Sequence, residues 1–117
     1  MSPQVFAGLG SAAYALIKMD GQERSLESLN VRFILLEQKP YGLQAIHSFL
    51  LREHNNSSVE EAYSFAMNCF KTHKSTLTFD VKLKLITIME KIMKADDRVT
   101  SRETDFIEKF KRDLRAV

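Results

Sequence analysis

The sequence predicts an all-α protein, a single compact domain of about six bundled helices spanning residues 1–117. Three observations predict this fold. Apolar residues recur at the three- and four-residue spacing of helices along nearly the whole chain. No stretch alternates with period two for long enough to form a strand, although residues 76–79 come nearest. Glycines, prolines and capping residues separate the apolar segments at short intervals, and no linker or low-complexity segment interrupts them.

The composition excludes several classes of protein. A chain of 117 residues with 44% hydrophobic and 27% charged residues can bury one modest core and is far from disordered. Its net charge of +2 gives no strong attraction to nucleic acid or anionic membranes. The single cysteine, Cys69, excludes an intramolecular disulfide and a paired-cysteine zinc site, and it suits a reducing compartment. Without the features of a signal peptide or a membrane span, we expect a cytoplasmic protein with no membrane insertion.

The first predicted helix covers the apolar residues 5–17 and ends near Met19, where a glycine-containing turn follows. Gly8 and Gly10 lie inside it, and each costs roughly 1 kcal/mol there. The two glycines belong to a segment that superficially fits the dinucleotide-binding fingerprint. Because that fingerprint requires a preceding strand, we interpret them as small residues that let helices pack closely.

The next two predicted helices are separated by Pro40, because the residue before a proline is pushed out of helical geometry. The second helix begins near Leu26, and we expect one main apolar face with a second set of residues widening it. The main face consists of Leu26, Leu29, Phe33 and Leu36, and the widening residues are Val31, Ile34 and Leu35. The third helix begins at Gly42 and ends before the polar residues 54–57.

Capping boxes predict the starts of two later helices. In this motif an N-cap hydroxyl and a glutamate three residues later each accept a hydrogen bond from the other's backbone N–H. Ser58 and Glu61 have this spacing before the fourth helix, and Thr100 and Glu103 have it before the last. The apolar helix between them, residues 81–94, has two stripes that cover more than half of its circumference. We therefore expect that helix in the middle of the bundle.

The chain contains a degenerate internal repeat, with copies at about residues 12–37 and 85–114. Each copy is an apolar helix, an acidic turn, and a second helix whose first turn carries a glutamate. The aligned pairs are Lys18 and Lys94, Asp20 and Asp96, Ser25 and Ser101, and Glu27 and Glu103.

These residues resemble the TerB-like (tellurite-resistance) domains, whose signature is an apolar helix, A-D-G-x-I-S-x-x-E, and a further apolar helix. Residues 95–103 fit it except that Asp97 replaces the usual glycine, whereas the first copy departs at Glu23 and Arg24. The resemblance covers about residues 12–114. It implies a compact helical fold, a link to bacterial stress or tellurite resistance, and no established catalytic activity. It also implies a suspected calcium or magnesium site at the acidic turns, with the matching positions Asp20, Glu27, Asp96 and Glu103.

Helix capping is the competing interpretation of these carboxylates, since an acid near a helix N-terminus contributes about 0.3–1 kcal/mol without any ligand. An EF-hand is excluded in both copies. Its earlier acidic positions fall on Lys94 and Ile92 in one copy, and on Lys18 and Leu16 in the other.

Other candidate sites are weaker. His47, His54 and His73 lack the close spacing of zinc ligands, so we expect surface or boundary histidines. We expect Cys69 to be a buried, inert thiol. The C-terminal third is the most basic part of the chain, but interspersed acids dilute it, which indicates a solvated surface rather than a nucleic-acid interface.

We therefore expect a non-catalytic interaction or sensing module that binds another protein, with homodimerisation left open. Two alternatives come from other classes: a small metal-dependent enzyme built on the acidic turns, and a nucleic-acid-binding domain that uses the basic C-terminal helices. No nucleophile, base or phosphate-binding loop lies near the turns in sequence, which disfavours the enzyme.

Overall fold

The computed structural model describes residues 2–19, 25–95 and 99–117, except for the side chains of residues 25–27. Within these ranges the chain forms six α-helices and no strand, which confirms the predicted all-α bundle. The helices are α1 (Pro3–Met19), α2 (Ser25–Leu36), α3 (Gly42–His54), α4 (Val59–Thr72), α5 (Phe79–Lys94) and α6 (Ser101–Arg115). A short 3₁₀ turn, Lys74–Thr76, precedes α5. None of the described helices has both the length and the apolar character needed to cross a bilayer.

The central helix of the bundle is α1. Its residues from Gly8 to Ile17 are all buried, and it packs against each of the five other helices. We expected α5 in this position, and that prediction was wrong. Both apolar stripes of α5 contribute to the core, but its remaining side, including Leu83, Thr87 and Lys91, is exposed. The small residues Gly8 and Gly10 of α1 permit close packing against α4 and α3, whereas the lysines of α5 require water on one side.

Gly10 sets the distance between α1 and α3. A Cβ atom at this position would overlap the carbonyl oxygen of Ala45 and lie 2.8 Å from its carbonyl carbon. Gly8 faces α4 less tightly, because a Cβ there would meet Phe70 Cε1 at 2.9 Å and the Ala66 carbonyl oxygen at 3.2 Å. Both glycines therefore serve helix packing, which confirms the interpretation of the glycine segment.

α2 packs against the core with the opposite face to the one we expected. The buried residues are Val31, Ile34 and Leu35, which we expected only to widen the main apolar face. The main face is about half exposed: Leu29 at 45%, Phe33 at 57% and Leu36 at 48%. The prediction was wrong because both sets lie on continuous helical stripes, and periodicity alone does not rank two apolar faces of one helix. The side chain of Leu26 lies outside the described part of the chain.

The two repeat copies begin their second helices at aligned residues, α2 at Ser25 and α6 at Ser101. Their inner faces also correspond, since buried Val31 and Ile34 align with buried residues of α6, Ile107 and Phe110. Their outer faces differ in chemistry. The exposed residues Leu29, Phe33 and Leu36 align with three exposed charged residues, Asp105, Lys109 and Arg112.

The capping box at the start of α4 is present as predicted. The Glu61 N–H donates to Ser58 Oγ at 3.1 Å, and the Ser58 N–H donates to Glu61 Oε1 at 3.2 Å. These bonds satisfy backbone donors that the first turn of a helix cannot satisfy itself.

We expect Gly10→Ala to destabilise the fold by about 2 kcal/mol, because overpacking against fixed backbone outweighs the roughly 1 kcal/mol of helix propensity that alanine adds. Gly8→Ala is the matched control, since it gains the same propensity but its nearest contact, Phe70 Cε1 at 2.9 Å, is less close than the backbone overlap at Gly10. Urea denaturation measures both free energies of unfolding. Equal changes in the two variants would contradict the close approach of α1 and α3.

Candidate functional site

The structure describes one of the four predicted cation ligands in full. Asp20 and Asp96 lie outside the described residues, as does the side chain of Glu27. The carboxylate of Glu103 is buried and takes part in the predicted capping box, in which Oε1 accepts from the Thr100 N–H at 3.1 Å. Among the side chains that the structure describes, no group of three or more His, Cys, Asp or Glu could hold a metal ion. The cation site at the turns stays a prediction, and helix capping is the role seen for Glu103.

We expect Thr100→Ala to cost about 1 kcal/mol of stability, since it removes the hydroxyl that caps α6. The Glu103 N–H, now 3.2 Å from Thr100 Oγ1, would lose its acceptor. Ser101→Ala is the control, because Ser101 is exposed in the first turn of the same helix. Thermal or urea unfolding gives the difference, and equal midpoints for the two variants would argue against this cap.

A polar cluster between α4 and α6 was missed from the sequence. The Tyr63 phenol donates to Asp113 Oδ2 at 2.6 Å, and Lys109 Nζ lies 2.7 Å from the same oxygen. Lys109 also lies 4.3 Å above the Tyr63 ring. The i, i+4 spacing of Lys109 and Asp113 is visible in the sequence, but Tyr63 joins them only through tertiary packing.

The hydrogen bonds of this cluster join α4 to α6, and its tyrosine and aspartate are not suited to acid–base chemistry. Burial, followed by the hydrogen bond to Asp113, raises the pKa of Tyr63, so the phenol keeps its proton at neutral pH. The hydrogen bonds from Lys109 and then Tyr63 lower the pKa of Asp113, so the carboxyl is ionised. Neither group can readily change its protonation state near pH 7.

We expect Tyr63→Phe to lower the free energy of unfolding by about 1 kcal/mol. The variant loses a hydrogen bond to a charged group, and water screens part of the contribution of this bond because Asp113 is partly exposed. The loss should be largest between the ordinary pKa values of the two groups, 3.8 and 10.0. The lowered pKa of Asp113 stabilises the fold above the first value, and this contribution is lost as the pH falls. The raised pKa of Tyr63 stabilises the fold below the second value, and this contribution is lost as the pH rises.

Urea unfolding of the wild type and Tyr63→Phe from acid to alkaline pH measures this difference. Tyr41→Phe is the control, because Tyr41 packs edge-on against Phe6 and its phenol takes part in no hydrogen bond among the described residues. A difference for Tyr63→Phe that is constant with pH would contradict the coupling to Asp113.

Exposed apolar side chains form a stripe on the outer surface of α2. We call Leu29, Phe33 and Leu36 the α2 outer stripe; their spacing of four and three residues places them on one side of the helix. Scattered exposed apolar residues are normal on proteins, but contiguous ones mark interaction surfaces. The aligned face of α6 is charged, so the stripe is not a requirement of the repeat.

A shallow groove lies between α2 and α5. Two open depressions of about 490 and 430 Å³ share Thr87 and Lys91, and we call them together the α2–α5 groove. Along α5 it extends from Asp80 to Ala95, about 22 Å at the helical rise per residue. Its apolar lining comes from Ile34, Leu83 and Ile88, and its lysines are Lys84, Lys91 and Lys94.

Nearby acids neutralise the positive charge of the groove's lysines only weakly. Lys84 Nζ donates to the Lys39 carbonyl oxygen at 2.9 Å, so no acid pairs with it there. Lys91 Nζ lies 3.7 Å from a Glu37 carboxylate oxygen, and both side chains are more than half exposed, so water screens this pair. Lys94 is exposed and pairs with no acid in the described part of the chain.

The acids of the groove are fewer. Glu90 lies 3.4 Å from Lys111 Nζ on α6, which offsets its charge. Asp80 stands exposed at the end of the groove nearest the start of α5. The groove therefore combines an apolar lining with an excess of positive charge.

The remaining candidates from the sequence give no assembled site. His47 and His54 are exposed and His73 is half-buried, which confirms surface or boundary positions. Cys69 is half-buried, and burial raises the pKa of its thiol, which makes it less reactive at neutral pH. In the basic C-terminal helix, Lys109 pairs with Asp113 and Lys111 with Glu108, so part of the positive charge is neutralised.

Comparison with known proteins returned no match. No protein-family model matches this chain, and no curated protein or solved structure matches it.

Proposed function

We propose that this protein is a non-catalytic helical interaction module that binds a helical segment of another protein against α2 and α5. The observation that carries the proposal is the contrast between the repeat copies: the α2 outer stripe is apolar where the aligned face of α6 is charged. Fully burying one such side chain is worth about 1.5–3 kcal/mol, so a partner covering three half-exposed ones would gain substantial binding energy.

The dimensions of the α2–α5 groove favour a helix as the bound element. A length of about 22 Å matches a helix of about 15 residues, or four turns. The stripe comes near the groove only at Phe33, about 100° around α2 from Ile34, which lines the groove, whereas Leu29 and Leu36 lie farther around the helix. A helix in the groove would contact Phe33 at its edge, which is the helix-in-groove mode of recognition.

The proposal keeps the resemblance to TerB-like domains, and the aligned starts of α2 and α6 support it. On that basis the module would serve a bacterial stress or tellurite-resistance system, and its single cysteine suits the cytoplasm. A calcium or magnesium ion at the acidic turns belongs to the same proposal. It would give the module a ligand to sense, with Asp20, Glu27, Asp96 and Glu103 as its ligands.

The test transfers the charged residues of α6 onto α2. The triple variant Leu29→Asp, Phe33→Lys and Leu36→Arg should stay folded, since exposed substitutions usually change stability by about 0.5 kcal/mol or less. Helical peptides of about 15 residues are selected from a displayed library against the wild-type chain. We expect the selected peptides to lose about tenfold or more in affinity for the triple variant, as removing interface anchors predicts.

The control for this experiment is Leu51→Lys, which adds a charge at an exposed leucine of α3 outside the groove. It should leave peptide affinity unchanged. Equal affinity of the peptides for the triple variant would refute docking at α2. Sedimentation equilibrium supplies a second check: a wild-type dimer that the triple variant cannot form would assign the stripe to self-association and contradict the proposal.

A further inference from the structure

We infer that the partner helix is acidic: its apolar side lies in the α2–α5 groove, and its Asp or Glu side chains meet Lys84, Lys91 and Lys94. This inference rests on the proposed function and adds the chemistry of the partner. It depends on the distribution of charge around the groove.

The lysines have a spacing that one acidic helix can match. Lys84 and Lys91 are seven residues apart, which is two turns and about 10 Å along one side of α5. Lys94 lies one turn beyond Lys91, at the same end of the groove. Acids two turns apart on a helix lying along α5 would therefore reach Lys84 and Lys91 together, with Lys94 available to a third.

The existing acids leave this positive charge available. Glu90 is engaged by Lys111, and Glu37 pairs with Lys91 only across an exposed distance of 3.7 Å. An incoming carboxylate can displace or share that exposed pair at low cost. Such contacts set the choice of partner and the association rate more than the total affinity, which the apolar lining would supply.

A protein helix fits this groove better than a membrane or a nucleic acid. Membrane-binding clusters typically contain about four to eight basic residues, and this groove has three lysines with Asp80 at one end. Its apolar lining, from Ile34, Leu83 and Ile88, suits the apolar side of a helix. Nucleic acid would leave that lining without a role, since its backbone contacts are charged.

The experiment uses two matched peptides of about 16 residues, with leucines at i, i+4, i+7 and i+11. One carries glutamates at the flanking positions, and the other carries lysine at each of them. Fluorescence anisotropy measures their binding to the full chain. We expect the glutamate peptide to bind about tenfold more tightly, with the preference shrinking as salt is raised.

Two charge-reversal variants locate this preference. Lys91→Glu with Lys94→Glu should reverse the order of the two peptides. Lys71→Glu with Lys74→Glu makes the same change in net charge at exposed residues outside the groove, and it should leave the order intact. An effect of equal size in both variants would mean that overall charge, rather than the groove, selects the peptide, and would overturn the inference.

The outcomes separate this inference from the proposed function. If both peptides bind equally and the triple variant of the α2 outer stripe loses both, docking stands and the acidic partner is refuted. If neither peptide binds, or neither depends on the stripe, both proposals fail for this surface. A third arm uses vesicles containing phosphatidylserine. In the contradicting outcome, the wild type would sediment with those vesicles and bind neither peptide, and Lys91→Glu with Lys94→Glu would no longer sediment with them. This result would assign the groove to membranes and overturn the inference.

Discussion

The close approach of α1 to α3 at Gly10 is the constraint on which the rest of the bundle depends. With no side chain between the two backbones, α1 lies deep among the other helices and contacts all of them. The buried hydroxyl of Ser11 donates to the Ala62 carbonyl oxygen at 2.7 Å, so this polar side chain is satisfied at the centre. The small residues of α1 allow this burial because the backbones of α3 and α4 can come near it.

Once α1 occupies the centre, α2 and α5 can each bury only one side. Both helices nevertheless have apolar residues on more than that side, as Phe33 and Leu83 show. When a helix is apolar on two faces, either another element covers the second face or the fold must offset the free-energy cost of leaving those side chains in water. The groove between α2 and α5 follows from this arrangement, because the two helices flank one another at the surface with unburied apolar side chains on each.

Local interactions could be predicted from the sequence, whereas the choice between competing packings could not. The capping box of Thr100 and Glu103 and the helix start at Gly42 depend on residues within one turn, so a single sequence contains the needed information. The orientation of α2 depends on which of two apolar faces meets α3 and α5, and both have helical periodicity. The bond from Tyr63 to Asp113 likewise joins residues 50 apart, and no local pattern specifies it. At the acidic turns, a glutamate such as Glu103 can either cap a helix or bind a cation, so the sequence alone does not distinguish these two roles.

The two repeat copies have matching inner faces on α2 and α6 but different outer faces. α2 and α6 begin at aligned serines and bury aligned apolar residues, such as Ile34 and Phe110, so their inner faces meet the same demand. On the outer face α6 has charged residues, including Lys109, which pairs with Asp113 and stays hydrated. Under the proposed function a partner that covers the α2 outer stripe explains its apolar residues, since the aligned charged face of α6 shows that the repeat itself does not call for them.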